Sequence, residues 1–194
     1  MTTRGTTAVV GGLVAVLAGA CAPRPGEPTP PRFVLEGSLG QLMNLGYDEA
    51  RIRYVAPTEA RNDGSLSLDF VRTRPLGDTT LPDGGMVMAG ASEDFVLQLG
   101  YELQGDAPPN NQRIDLTFLD ANGLPRTTLA RNVLNDPRRT FPGLRVGSLF
   151  FDRAPSNETM NTVNGEFNLT FENGIEVASG RTVFGRFSAK VIPP

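Results

Sequence analysis

The stretch Phe95-Val96-Leu97-Gln98-Leu99-Gly100-Tyr101-Glu102-Leu103 decides the fold. Phe95, Leu97, Leu99, Tyr101 and Leu103 recur at every second residue, with Val96, Gln98, Gly100 and Glu102 between them. In an extended chain successive side chains point to opposite faces, so this pattern describes a strand with one face in a core and the other mostly in water. A helix would repeat its apolar side chains every three or four residues instead.

The same period extends outward in both directions. Leu66, Leu68 and Phe70 alternate with Ser67 and Asp69, and Ile114, Leu116 and Phe118 with Asp115 and Thr117. Phe167, Leu169 and Phe171 alternate with Asn168 and Thr170, and Val183, Phe187, Ala189 and Val191 fall on one face of the last segment. Shorter strands are predicted at Phe33 to Glu36, Arg51 to Val55, Met86 to Met88 and Leu144 to Phe151. Asn62-Asp63-Gly64, Asp83-Gly84-Gly85, Asn122-Gly123 and Asn173-Gly174 supply the left-handed backbone that tight turns need. Phe167 to Val191 reads as a hairpin, and only Leu39 to Leu45 suits a helical turn. The expectation is an all-β domain, an antiparallel two-sheet β-sandwich of about nine strands, with a closed barrel as the alternative that this pattern leaves open.

The chain has 194 residues, enough for one domain with appendages. It lacks His, which removes the commonest general base and neutral metal ligand. One Cys excludes internal disulfides and thiol-rich zinc or iron–sulfur sites. A net charge of −3 gives no reason to expect nucleic-acid binding. No phosphate-binding glycine loop occurs, Lys190 is the only lysine, and no cofactor is expected.

Arg4 is the only charge before residue 24, and Ala8 to Ala20 is an uncharged, mostly apolar run. Thirteen residues are too few to cross a bilayer, which takes about 17–25, and match the apolar region of an export signal. The run ends in Leu17-Ala18-Gly19-Ala20-Cys21. This resembles the lipobox of bacterial lipoproteins, although that class usually places Leu three residues before the Cys, where Ala18 stands. The resemblance covers about 21 residues. It implies a signal peptide over 1–20 and a mature chain starting at Cys21, whose sulfur carries a diacylglyceryl thioether and whose amine is usually acylated. Two or more acyl chains give stable anchoring without a membrane span. Ala22, where inner-membrane retention would want Asp, implies the outer membrane of the cell envelope.

Residues 22–31 hold five prolines, at 23, 25, 28, 30 and 31. Residues 21–31 therefore read as lipidated Cys plus linker, a semi-rigid stalk of about 30 Å at ~3.1 Å per residue. Residues 32–194 read as the β domain. Removing Arg4 with the leader takes the net charge to −4.

Within the domain, residues 124–153 carry Arg126, Arg131, Arg138, Arg139, Arg145 and Arg153 against Asp136 and Asp152. Guanidinium groups bind carboxylate and phosphate bidentately. This segment, Arg126 to Arg145 above all, is the candidate contact for an anionic envelope partner: lipid A phosphates, an anionic glycan such as an acidic polysaccharide, or an acidic envelope protein. The competing reading is a set of solvated arginines. Asp120 and Asn122 in D-A-N-G, or Asp78 and Asp83, offer oxygens to calcium, but calcium wants about 6–8 oxygen ligands and the Asn-Gly pair is already explained as a turn. The adjacent pairs Asp48/Glu49 and Glu93/Asp94 are the carboxylates a glycosidase-type hydrolase would use. Having no Trp and three Tyr weighs against a sugar-stacking module. The reading is a membrane-anchored, non-enzymatic binding or assembly component of a surface machine. A surface carbohydrate-binding module and a carboxylate-based hydrolase are the alternatives.

Overall fold

The computed structural model describes residues 32–57, 64–75, 79–80, 86–87, 91–104, 109–136, 139–157 and 161–194. Among them are thirteen strands and no helix. These are β1 (Phe33–Val34), β2 (Gly46–Tyr47), β3 (Glu49–Val55), β4 (Ser65–Pro75), β5 (Thr79–Thr80), β6 (Met86–Val87) and β7 (Ala91–Glu102). There follow β8 (Gln112–Asp115), β9 (Thr127–Asn132), β10 (Arg139–Thr140), β11 (Leu144–Phe151), β12 (Thr162–Phe171) and β13 (Thr182–Ile192).

Nine strands form one hydrogen-bonded sheet in the order β10-β9-β7-β4-β3-β13-β12-β11-β8, while β1-β2 and β5-β6 pair separately. The fold is all-β, as the alternation predicts. The nine strands hydrogen-bond in one continuous order and form a single curled sheet. Alternation reports which face of a strand is buried and says nothing of which strands bond to which. The sheet curls until its ends approach each other. Past β8, the Leu116 carbonyl accepts a bond from the Thr127 hydroxyl at 2.7 Å and the Phe118 carbonyl one from the Arg126 amide at 3.0 Å. Pairing is antiparallel except between β13 and β3, where Ala189 to Ile192 run parallel to Ala50 to Arg53. These strands come from opposite ends of the domain, so no hairpin forces them antiparallel.

One core fills the curl. Leu66, Leu68 and Phe70 of β4 meet Leu97, Leu99 and Tyr101 of β7, Leu149 and Phe151 of β11, and the inward residues of β12 and β13. Phe70 is fully buried, with Tyr47, Phe167 and Phe187 at ring-centre distances of 5.0, 5.3 and 6.1 Å in tilted or edge-on contact. Those geometries suit the aromatic quadrupole.

Three local expectations are corrected. The 39–45 segment makes turns, not a helix, with the Leu39 amide bonded to the Thr182 carbonyl at 3.0 Å. Phe118 points to solvent, because the Asp115 carboxylate accepts both the Thr117 amide and hydroxyl and takes the chain out of the strand after residue 115. Strand β9 was not foreseen: its inward positions are Leu129 and Arg131, and an arginine there hides the alternation.

Candidate functional site

The chemistry-bearing residues converge at one corner of the sheet, where β4, β7, β9 and β10 meet. Arg72 lies opposite Asp94 and Arg74 opposite Ser92 in the β4–β7 register, so these four side chains share one face. The pairing register shifts between Phe70 and Val71 on β4 and between Phe95 and Gln98 on β7. Such irregularities re-aim side chains. Beyond this one, Asp94 and Val96 are both buried, with Asp94 fully so.

A buried carboxylate must be paired. One oxygen of Asp94 accepts from Arg72 at 3.0 and 3.3 Å and from the Arg74 Nε. Its other oxygen accepts the Leu134 amide at 2.8 Å. Burial alone would raise the Asp94 pKa, but the Leu134 amide and the two guanidiniums together hold it below the usual aspartate value.

Alongside sits a second group. Arg131 is 5% exposed, and its Nη1 donates to the carbonyls of Asn44 and Val96 at 3.3 and 3.4 Å. Asp136 accepts from Arg131 at 3.4 Å and from Arg139 at 3.2 Å. Burial lowers the Arg131 pKa, Asp136 opposes that, and the charges of Arg72 and Arg139 lower it further. Arg131 reaches the Val96 carbonyl two residues along β7 from Asp94, and Arg139 lies opposite Arg131, so the two groups sit side by side. Together they hold four guanidiniums, those of Arg72, Arg74, Arg131 and Arg139, and two carboxylates, Asp94 and Asp136. Arg74 and Arg139 are the exposed members, with about two-fifths of each side chain in solvent.

Among the described residues, two buried side-chain polar atoms have no hydrogen-bond partner, Ser92 Oγ and Arg139 Nε. Both belong to this corner.

The sequence-predicted candidates are distributed as follows. Arg131 and Arg139 are in the corner. Arg126 is buried just before β9, with Nε donating to the Glu102 carbonyl at 2.8 Å and the guanidinium over the Tyr101 ring at 4.9 Å. Arg145 is exposed on β11, at the other flank of the sheet order. Arg153 pairs with Asp152 at 3.6 Å. Arg138, Asp78, Asp83 and Cys21 lie outside the described residues. The sequence reading did not single out Arg72, Arg74 or Ser92. The spacing Arg72-Thr73-Arg74 carries the missing signal, since in a strand it sets both arginines on one face.

Asp120 acts as a turn cap. Its carboxylate accepts the amides of Leu124 at 2.7 Å and Asn122 at 2.8 Å and the Asn122 side chain at 3.3 Å, bonds that lower its pKa. Gly123 completes the turn at φ +78°. Among the described residues, no three His, Cys, Asp or Glu side chains gather as metal ligands. Asp48 accepts the Thr73 amide at 2.9 Å, and Glu49 and Glu93 both bind Arg51, at 3.2 and 2.7 Å. A surface groove of about 590 Å³ runs beside β1 and is lined in part by Phe33, Phe184, Arg113, Glu166 and Arg186. No helix among the described residues is long and apolar enough to cross a membrane.

No protein-family model, curated protein or solved structure matches the chain.

Proposed function

We propose that this chain is a lipid-anchored cell-envelope protein, held by Cys21, which binds an anionic envelope component and catalyses no reaction. In this reading a Pro-rich stalk presents a sandwich-like body whose two facing walls are halves of the one curled sheet. The lipobox resemblance and the linker support anchoring, with the outer membrane favoured by Ala22. The observation that carries the binding half is the excess of four guanidiniums over two carboxylates at the β4–β7–β9–β10 corner. Two of those arginines reach solvent. The carboxylates a hydrolase would need are engaged elsewhere, in ion pairs and backbone bonds. This weighs toward binding or assembly.

One observation favours a carbohydrate-binding module as the second reading. The groove beside β1 combines partly exposed Phe33 and Phe184 with Arg113, Glu166 and Arg186, an aromatic and polar wall of the kind that sugars use.

Membrane fractionation of wild type and Cys21→Ser tests the anchoring. Wild type is expected in the membrane pellet through a high-salt wash, and Cys21→Ser in the soluble fraction. Equal partition of the two would contradict it.

A further inference from the structure

We propose that one end of the curled sheet, carrying Leu42, Ile175 and Val177, rests on the surface of the bilayer that holds the Cys21 anchor. The proposal rests on the anchoring reading above and adds which face of the domain meets lipid.

The strand register defines this end. It gathers the start of β3, the end of β4, the start of β7 and the end of β9, since Glu49 lies opposite Val71, and Phe95 opposite both Val71 and Asn132. Residues 35–45 close it. The Leu39 amide donates to the Thr182 carbonyl at 3.0 Å, the Leu35 amide donates to the Leu45 carbonyl at 3.1 Å, and the Asn44 carbonyl accepts from Arg131 Nη1 at 3.3 Å. Leu35, Leu39 and Leu45 are buried in the core, while Leu42 is left exposed.

Three observations carry the inference. The first is where the chain enters the domain. The Arg32 amide donates to the Asp48 carboxylate at 3.3 Å, and that carboxylate also accepts the Thr73 amide near the end of β4. The linker therefore arrives at this end. Residues 22–31, at ~3.1 Å each, keep it within about 30 Å of Cys21. The second is apolar exposure. Met43, next to Asn44, shares a shallow groove with Phe141, Ile175 and Val177. Ile175 is fully exposed, at 105%, and Val177 is half exposed. Single exposed apolar residues are ordinary, whereas a cluster of them marks an interaction surface. The rival apolar loop, Phe118 to Leu124, leads into Arg126, whose carbonyl accepts the Glu102 amide at the opposite end of β7. The third is local order. The Ser179 amide donates to the Glu176 carbonyl at 3.0 Å, the Ser179 hydroxyl accepts the Glu176 amide at 3.1 Å, and Ala178 is buried beneath. The loop thus holds Ile175 and Val177 outward before any contact forms, which lowers the ordering cost of binding.

The charges of this neighbourhood balance. Arg139 is paired with Asp136, and Arg181, bonded to the Val177 carbonyl, stands with Glu176. The contact is therefore hydrophobic, with the side chains seated about 5–10 Å into the headgroup boundary and little dependence on lipid charge.

The test uses the processed protein, purified from its membrane and reconstituted into phosphatidylcholine vesicles that carry a quencher on their acyl chains. A polarity-sensitive fluorophore is attached through Ile175→Cys, through Leu124→Cys, or through Ser65→Cys at the exposed start of β4 at the opposite end. An acylated Cys21 takes no label. Quenching at Ile175→Cys should exceed that at the other two sites by about threefold or more and survive high salt. Adding Val177→Asp and Leu42→Asp, both at exposed positions, should bring it down to the Ser65→Cys level with melting temperature preserved. Equal quenching at all three sites, strongest quenching at Leu124→Cys, loss of quenching in high salt, or indifference to the two Asp substitutions overturns the proposal. Any of these in protein that still floats with the vesicles leaves the anchoring reading intact. Protein that takes label at Cys21 and does not float overturns the anchoring, and this contact with it.

Discussion

Replacing Asp94 with Asn is expected to lower stability by about 3–5 kcal/mol, the usual cost of leaving a buried ion pair without one partner. Asp94 is fully buried and is the shared acceptor of Arg72, Arg74 and the Leu134 amide. The amide retains one acceptor oxygen and loses the charge, so two guanidiniums face each other with only Asp136 to offset the corner. For a domain of this size each kcal/mol moves the melting temperature by about 2–4 °C, so a fall of the order of 10 °C is expected in thermal unfolding. The pH dependence separates charge from packing. Because folding depresses the Asp94 pKa, its contribution is complete above the ordinary carboxylate range near pH 4 and is lost as pH falls through the lower folded value. The gap between wild type and Asp94→Asn should therefore be full at pH 7 and narrow below about pH 4. A gap that stays constant to low pH would mean that shape, not charge, is what Asp94 provides.

Gly165→Ala is the second large effect. Gly165 lies in the middle of β12, between Phe151 of β11 and Phe187 of β13. A methyl group there would sit 2.5 Å from the tip of the Phe187 ring and even closer to the Phe150 carbonyl oxygen. The carbonyl belongs to a sheet ladder and cannot retreat without breaking it. Phe187 packs edge-on against Phe70 and Phe151, so displacing its ring disturbs the centre of the core. Overpacking of this kind costs about 1–3 kcal/mol, occasionally more, and here the upper end is expected. Chemical denaturation should show a lower midpoint with an unchanged slope. Wild-type stability in Gly165→Ala would show that the β11–β13 region tolerates more rearrangement than its packing suggests.

The sequence made most strands legible because their inward residues are apolar and their outward residues polar. β12 and β13 follow that rule closely, and the predicted span of β11 coincides with the strand. β7 follows it from Leu97 onward, whereas the register shift buries Val96 and Asp94 and leaves Phe95, expected on the core face, outside the core. The rule fails where chemistry intrudes. At β9 an inward Arg131 breaks the apolar alternation, and the sequence reads there as part of the arginine-rich segment 124–153. At Phe118 the preceding Asp115 carboxylate, accepting from the Thr117 amide, ends the strand before an apolar residue that fits its period. The corner was half legible for the same reason. Arg131 and Arg139 stand out as members of a basic segment, whereas Arg72 and Arg74 come from a strand 60 residues away, brought in by pairing between β4, β7 and β9. Local sequence holds no record of such long-range pairing. It also holds none of the register shift that places Asp94 between the two sets of arginines. The single curled sheet was illegible on similar grounds, since the parallel β3–β13 pair joins segments from opposite ends of the domain.

Intact-mass analysis of the protein purified from its own membrane tests the central claim most directly. The expected species begins at Cys21 and is heavier than the bare polypeptide by a diacylglyceryl group and an amide-linked acyl chain. A polypeptide that retains Met1 and carries a free thiol at Cys21 would contradict the account.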